Sequence, residues 1–174
     1  MACSQTLAGM LRDCSSNMGG IKAVYMANFD DVASVTVSGT PETVTAITMA
    51  ASKKFYAYYF NPNTSNVVTT ARVNRENGSL YYESVLSLVF PKLDATKRVE
   101  VNALAQAGLM AIVEDNNGKC WLLGKDEPML LQDGGTAETG TAKADRNGYA
   151  LPFIDAQQQL PYPVDPEIID DLLA

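Results

Sequence analysis

Histidine is absent from this chain, and with it the side chain on which several classes of enzyme depend. Ser-His-Asp and Cys-His nucleophilic catalysis both use an imidazole as general base, and histidine is also the commonest transition-metal ligand. Cysteine is scarce, and the spacing of Cys3, Cys14 and Cys120 fits neither a zinc site nor a disulfide framework. We therefore expect reduced thiols used in packing or left exposed, no catalytic residues, and no bound metal or cofactor.

Positive charge is also in short supply. The chain has 13 Lys and Arg residues against 20 Asp and Glu residues, which gives a net charge of −7. Surfaces that hold nucleic acid gain affinity by neutralising phosphates with clustered Lys and Arg. This balance argues against a protein that grips DNA.

Long hydrophobic runs are missing as well. No stretch approaches the roughly 18 apolar residues of a membrane-spanning helix, and the first residues lack the basic and apolar segments of a secretory signal. We expect a protein that is made in a cytoplasm and has no membrane partner.

What the sequence does contain is a succession of strand-like segments rich in Val, Thr and aromatic residues. They predict strands over Ile21–Asn28, Val32–Val37, Val44–Met49 and Phe55–Phe60. The expected fold is mainly β with some α. We expect one β-rich domain over 21–155, an N-terminal arm over 1–20, and a proline-extended C-terminal tail over 156–174.

The segment from Asn66 to Phe90 predicts an unusually long hairpin in which Asn77 and Gly78 form a two-residue type I′ turn. Such a turn would place Arg72 opposite Glu83. Strands of about eleven residues, at about 3.3 Å per residue, would extend beyond a domain of this size. One face is then more apolar, and the other, the polar face, bears Thr70, Arg72, Asn74, Glu83 and Ser87.

One helix is expected, over about 94–107. Asp94 is a suitable N-cap, and Val101 and Leu104 recur at helical spacing. Such a helix would cover one face of a sheet.

Asn117 and Gly118 predict a second hairpin, in which Glu114 would lie opposite Trp121. Beyond it, the segment 132–147 is rich in Gly, Thr and Ala, and predicts a long polar loop or a mobile hairpin.

Paired carboxylates are the remaining candidates for chemistry. Adjacent residues point in different directions and each pair lies at a predicted turn or terminus, so solvated surface charge is the favoured interpretation. The pairs are Asp30–Asp31, Glu114–Asp115, Asp126–Glu127 and Asp170–Asp171. The segment 115–118 looks like the start of a calcium loop, but no carboxylate stands near its twelfth position.

Three segments carry a resemblance to a known group of proteins. They are 14–32 (CSSNMGGIKAVYMANFDDV), the hairpin from Val73 to Lys92 with the following Asp94-Ala-Thr-Lys-Arg-Val-Glu, and 111–127 (AIVEDNNGKCWLLGKDE). They resemble virion proteins of tailed phages that infect Bacteroides, including crAss-like phages. The resemblance covers most of residues 1–155.

The resemblance implies a tail-tube-like or tail-ring fold, which is a β-sandwich or barrel with one flanking helix and a long β-hairpin. In such proteins the hairpin joins an inner β-barrel that spans the ring. It implies a homo-oligomer, a hexamer or dodecamer, in the virion tail, with neighbouring tail or connector proteins as partners. DNA would pass without specific binding, along the polar face of the hairpin. The acidic net charge suits such passage, because like charges repel within a Debye length of about 8–10 Å.

Two other interpretations stay open. Within the structural class, the chain would be a head-tail connector or stopper ring. From another class, it would be a small-ligand-binding β-barrel, in which Trp121 and the tyrosines Tyr56, Tyr58 and Tyr59 line an apolar pocket. Core or interface packing of these aromatic side chains is the favoured alternative to a pocket.

Overall fold

The structure, a computed structural model, describes residues 9–12 and 14–174. The fold is mainly β, with 48% strand and 13% helix, and the described residues form two sheets and two short helices but no closed barrel. The predicted mainly β fold is confirmed, in the form of two sheets. Of the predicted arm, residues 1–8 and 13, which include Cys3, lie outside the described residues.

The described elements follow one another along the chain without long gaps. The strands are β1 Ile21–Asn28, β2 Val32–Ser38, β3 Thr43–Met49, β4 Tyr56–Tyr58, β5 Asn66–Asn74, β6 Ser79–Pro91, β7 Leu109–Asp115, β8 Cys120–Leu123, β9 Leu130–Leu131, β10 Thr136–Glu138, β11 Gly148–Gln157 and β12 Tyr162–Val164. The helices are α1 Ala95–Gln106 and α2 Ile169–Leu172, and single 3-10 turns span Phe29–Asp31 and Pro166–Ile168.

The larger sheet has seven strands in the order β2-β3-β12-β8-β7-β1-β4. Its central strands, β1 and β7, are buried on both faces along most of their length, which explains their nearly continuous runs of apolar residues. One face packs on the smaller sheet, and the other covers a second core.

The smaller sheet has the order β10-β11-β6-β5, with β9 paired beside β10 on the outer side of β11. Strand β11 pairs with β6 over ten residues, and its Tyr149, Leu151 and Phe153 alternate into the core. The sequence analysis did not predict this strand. Pro152, which cannot donate a ladder hydrogen bond, lies at the gap between β9 and β10, where the structure tolerates it.

Two apolar cores result. The inter-sheet core joins residues of both sheets with Leu104 of α1; its fully buried side chains include Val24, Leu86, Leu88, Val113 and Phe153. The second core, on the other face of the larger sheet, includes Val44, Phe55, Ile112, Cys120 and Leu122.

The predicted helix is confirmed as α1. The side chain of Asp94 accepts a hydrogen bond from the backbone N–H of Thr96 at 3.3 Å, as an N-cap does. Leu104 is buried, and Val101 is packed against the inter-sheet core. The other side of the helix is solvated, and Val99 there is 64% exposed.

The C-terminal segment differs from the tail predicted over 156–174. Strand β12 lies inside the larger sheet, between β3 and β8. Ile169 and Leu172 of α2 are buried in the second core. Phe55 donates a backbone hydrogen bond to Leu172 at 2.9 Å and accepts one from Ala174 at 3.1 Å. This segment therefore belongs to the domain.

The segment 132–147 is only partly a loop. It contains β10, which forms a hairpin with β11. The connection is closed by Asp145, whose carboxylate accepts backbone hydrogen bonds from Thr141 at 2.9 Å and Ala142 at 2.6 Å. An ion pair joins Arg146, in the connection, to Glu138 at the end of β10.

Among the described residues, the longest helix is α1, with 12 residues. None of the described helices combines the length and apolar character that crossing a membrane would need.

Candidate assembly hairpin

The long hairpin is present, but its turn differs from the prediction. Asn74 pairs with Ser79, so the loop has four residues, 75–78, and the register is shifted by two residues from the one predicted. Asn77 does not have the positive φ that a type I′ turn needs at both central positions, whereas Gly78 has a φ of 71°. The side chain of Asn77 instead accepts a hydrogen bond from the backbone of Ser79 at 3.0 Å.

A shift of two residues leaves every side chain on its predicted face, because the side-chain period of a strand is two. The polar face is therefore present: Thr70, Arg72 and Asn74 are exposed, and Glu83 and Ser87 are half-buried. Glu83 now lies opposite Thr70 instead of Arg72, and Arg72 reaches it diagonally, with 2.5 Å between Nη2 and Oε1. The positive charge of Arg72 is thus neutralised on the face itself.

The hairpin extends well beyond the two cores. Residues 71–81 are all exposed, although the strands that lead to them continue the smaller sheet. At the base, Leu86 and Leu88 are fully buried. The predicted projection of the hairpin from the domain is confirmed.

The projecting part has a second face that is apolar and uncovered. We call it the apolar tip face; it consists of Ala71, Val73, Leu80 and Tyr82, which share one side of the paired strands. Val73 is 62% exposed and Leu80 is 52% exposed. At the base of the hairpin the same side carries core residues. The apolar tip face therefore continues the core-facing side of the hairpin beyond the end of the inter-sheet core.

Sheet edges are a second feature that favours association. Strand β5 is an edge of the smaller sheet, and β2 is an edge of the larger one. Proline is absent from both strands, and Arg72 is the one charged residue in them. Edge strands without prolines or several charges are open to pairing with another chain.

Replacing Asn77 and Gly78 by valine tests the role of the turn. Valine at Gly78 would carry a left-handed φ at a cost of about 1–2 kcal/mol, and the Asn77 acceptor would be lost. Because the tip lies outside both cores, we expect nearly unchanged thermal unfolding, faster tryptic cleavage after Arg75, and weaker self-association. Asn77→Asp, which keeps the acceptor oxygen, is the control. Unchanged proteolysis and association in the double variant would contradict this role.

The second hairpin also has a different turn from the one predicted. A three-residue loop, 116–118, places Trp121 opposite Val113 and Cys120 opposite Glu114, one residue away from the predicted pairing. Asp115 closes this loop by accepting a hydrogen bond from the backbone N–H of Lys119 at 2.9 Å. A one-residue shift exchanges the faces of a strand, so Trp121 points towards the smaller sheet.

The loop of this second hairpin also holds the end of the N-terminal arm, just before β1, by hydrogen bonds. The side chain of Asn117 accepts a hydrogen bond from the backbone N–H of Met18 at 2.9 Å and donates one to Asn17 at 2.9 Å. The side chain of Asn116 donates to the carbonyl of Gly19 at 2.7 Å. The segment 115–118, whose sequence looks like the start of a calcium loop, therefore forms a turn that holds residues 17–19.

Trp121 and the tyrosine cluster line separate clefts. Trp121 lines an open groove between the sheets; we call it the Trp121 groove, and its lining is Val67, Thr69, Val113, Trp121, Leu123, Leu160 and Pro161. Tyr58 lines a different cleft, with Phe90 and α1. The pocket predicted for a ligand barrel, in which Trp121 and the tyrosines act together, is therefore wrong for the described structure.

The paired carboxylates are dispersed among structural roles. Glu114 accepts hydrogen bonds from Tyr25 at 2.8 Å and Lys22 at 2.6 Å. Burial, together with the bond to Glu114, raises the pKa of the Tyr25 hydroxyl. Asn28 and Lys53 lower the pKa of Asp31. Within the described part of the chain, no group of three or more Cys, Asp or Glu side chains could hold a metal ion.

The free thiols differ in their surroundings. Cys14 is exposed and Cys120 is 3% exposed in the second core. Burial, together with nearby Glu114 and Asp115, raises the pKa of Cys120 to about 11. Because the thiolate is the reactive form, this thiol is an inert packing group at neutral pH.

Asp155 is a buried carboxylate that the sequence analysis did not single out. It is 2% exposed, lies opposite Ser84 of β6, and accepts a hydrogen bond from the side chain of Gln157 at 2.5 Å. Burial raises its pKa, and hydrogen bonds from Gln157 and the backbone of Gly124 oppose that effect. Asp155 follows Tyr149, Leu151 and Phe153 at every second position of β11. This alternation is the sequence signal that could have indicated that Asp155 is buried.

The raised pKa of Asp155 has a defined consequence for stability. A carboxyl whose pKa is higher in the folded state contributes stability at low pH, and that contribution is lost as pH rises through the folded pKa. We therefore expect Asp155→Asn to gain stability relative to the wild type as the pH rises from about 4, near the ordinary pKa of an aspartate, through the raised pKa of the folded state. Urea denaturation at several pH values measures this difference, and parallel pH profiles would contradict it.

In comparisons with protein-family models, with curated proteins and with solved structures, no match to this chain is found. The resemblance to phage virion proteins, and what it implies, remain predictions.

Proposed function

We propose that this chain is a structural virion protein of a tailed phage that infects Bacteroides, and that its copies form a homo-oligomeric ring or tube of the tail channel. The observation that carries the proposal is the projecting hairpin with two unlike faces. A monomer gains nothing from an apolar face held in solvent, whereas an assembly buries it. The protein would be made in the host cytoplasm and reside in the virion.

The faces of the hairpin suit a channel wall. In the proposed ring, the apolar tip face packs on a neighbouring copy and the polar face lines the lumen. Arg72 on the polar face is paired with Glu83, and the chain as a whole carries a net charge of −7. Such a wall repels phosphate instead of holding it, so that DNA passes without specific binding.

The edges of the sheets support association by a second route. A closed ring needs two different surfaces on each copy, because a head-to-tail contact joins unlike patches. The chain offers β5 on one sheet and β2 on the other. Pairing between copies would remove exposed edges that are open to non-specific aggregation.

The mass of the purified protein in solution tests this proposal. Light scattering over a concentration series, followed by negative-stain imaging, should show large species with a central channel. Stacked rings favour a repeating tube subunit, and single closed rings favour the connector or stopper alternative. A protein that stays monomeric at high concentration would contradict the ring.

A further inference from the structure

The apolar tip face lacks a covering surface within its own chain. Val73 lies four residues beyond Thr69 on β5, which corresponds to about 13 Å at about 3.3 Å per residue. Thr69 and Val67 form one wall of the Trp121 groove. Strand β5 stays paired with β6 from Asn66 to Asn74, and none of its residues beyond Thr69 lines the groove, so the tip of the same chain does not occupy it.

The Trp121 groove is the apolar counterpart of this face. Val113 and Leu123 form its fully buried floor, while Trp121 at 36% exposure and Leu160 at 56% exposure keep it open to solvent. Its volume is about 250 Å³. Pockets that enclose drug-sized ligands have about 300–1,000 Å³, so the groove suits a few aliphatic side chains better than a small molecule.

Charged side chains stand beside both surfaces, and at the tip they are Arg75 and Glu76, which are both exposed. Arg75, next to the tip face, is exposed and makes no ion pair among the described residues. Beside the groove, the Asp115 carboxylate accepts a hydrogen bond from the indole N–H of Trp121 at 3.3 Å. A tip seated on the groove with Arg75 on the side of Asp115 would pair a cation with a carboxylate.

We propose that the apolar tip face of one copy docks in the Trp121 groove of the next copy, with Val73 and Leu80 against Trp121 and Leu160. The inference rests on the proposed function, since it names the contact by which copies associate. The tip and the groove are different surfaces of the chain, so the contact is head-to-tail and leads to a closed ring or a filament. A symmetric pair that exchanges tips would contradict this arrangement.

Site-directed crosslinking tests the contact. In a Cys3→Ser/Cys14→Ser background, Leu80→Cys protein is mixed with tagged Leu160→Cys protein and treated with a short bismaleimide. We expect a mixed dimer of distinct mass. The matched control is Val99→Cys, which is also an exposed aliphatic position but lies on α1. When Val99→Cys protein takes the place of Leu160→Cys protein, it should give at most a tenth as much mixed dimer with Leu80→Cys protein.

Charge substitutions provide a second measurement. Leu160→Asp should raise the concentration of half-assembly at least tenfold, whereas Val99→Asp should leave it unchanged. Circular dichroism checks that both variants are folded, as their exposure predicts. Equal effects of the two substitutions would overturn the proposed groove contact.

The outcomes separate this inference from the proposed function. Rings that form without preferential crosslinking of Leu80→Cys to Leu160→Cys would overturn the docking site and leave the ring intact. A specific crosslink in head-to-tail chains that never close would support the docking site and contradict the ring. If neither rings nor the specific crosslink are found, the ring and the docking site are both overturned.

Discussion

Deletion of residues 161–174 is expected to abolish the cooperative folded state. The deletion removes β12, which joins β2 and β3 to the rest of the larger sheet, and it removes α2. Val164, Ile169 and Leu172 are only 3%, 6% and 6% exposed. Burying three such side chains contributes roughly 5–9 kcal/mol as an upper estimate. That is comparable to the whole stability of a small domain, about 5–15 kcal/mol.

Thermal unfolding followed by near-ultraviolet circular dichroism measures this loss, and we expect no cooperative transition in the truncated chain. The control is a deletion of similar length, residues 1–12, of which the described residues Gly9–Arg12 are exposed. We expect this control to unfold like the wild type. A C-terminal truncation that melts within a few degrees of the wild type would show that the segment is the independent tail predicted from the sequence.

The double substitution Val73→Ser/Leu80→Ser is expected to prevent assembly without unfolding the domain. Both side chains are more than half exposed in the single chain, and substitutions at exposed positions change the free energy of unfolding by about 0.5 kcal/mol or less. In the proposed assembly the exposed half or so of each side chain becomes buried, which is worth about 0.8–1.8 kcal/mol for each side chain. The association constant of each contact should then fall by roughly 10- to 400-fold.

Light scattering over a concentration series measures this change, with thermal unfolding as the check on the fold. The control is Thr70→Ala/Arg72→Ala, on the opposite face of the same hairpin, where an exposed ion pair contributes about 0–1 kcal/mol. We expect the control to assemble. If the association constant falls equally in the two double variants, the apolar tip face is not the contact surface that we propose.

The two hairpins show how far local sequence signals extend. Asn77-Gly78 and Asn117-Gly118 both correctly indicate a turn, but neither dipeptide determines the length of its loop. In the first hairpin the error is two residues and preserves the faces, so the polar face could be predicted. In the second the error is one residue, which turns Trp121 to the other side and made the groove unpredictable.

Strand β11 and the C-terminal segment show a different limit. The alternation of Tyr149, Leu151 and Phe153 is a readable strand signal, but Pro152 within it argues against a strand at the centre of a sheet. The prolines around Tyr162 correctly indicate extended chain. Their sequence has no local signal that β12 lies between β3 and β8.

The sequence by itself determined the mainly β class, the bounds of β1, the Asp94 cap of α1, and the two unlike faces of the long hairpin. These depend on alternation, turn residues and caps, whose physical effects act within a few residues of the chain. The tertiary structure alone decided the order of the strands, the groove at Trp121, and the length of hairpin left uncovered. These depend on pairing and packing between segments far apart in the chain, which no local pattern specifies.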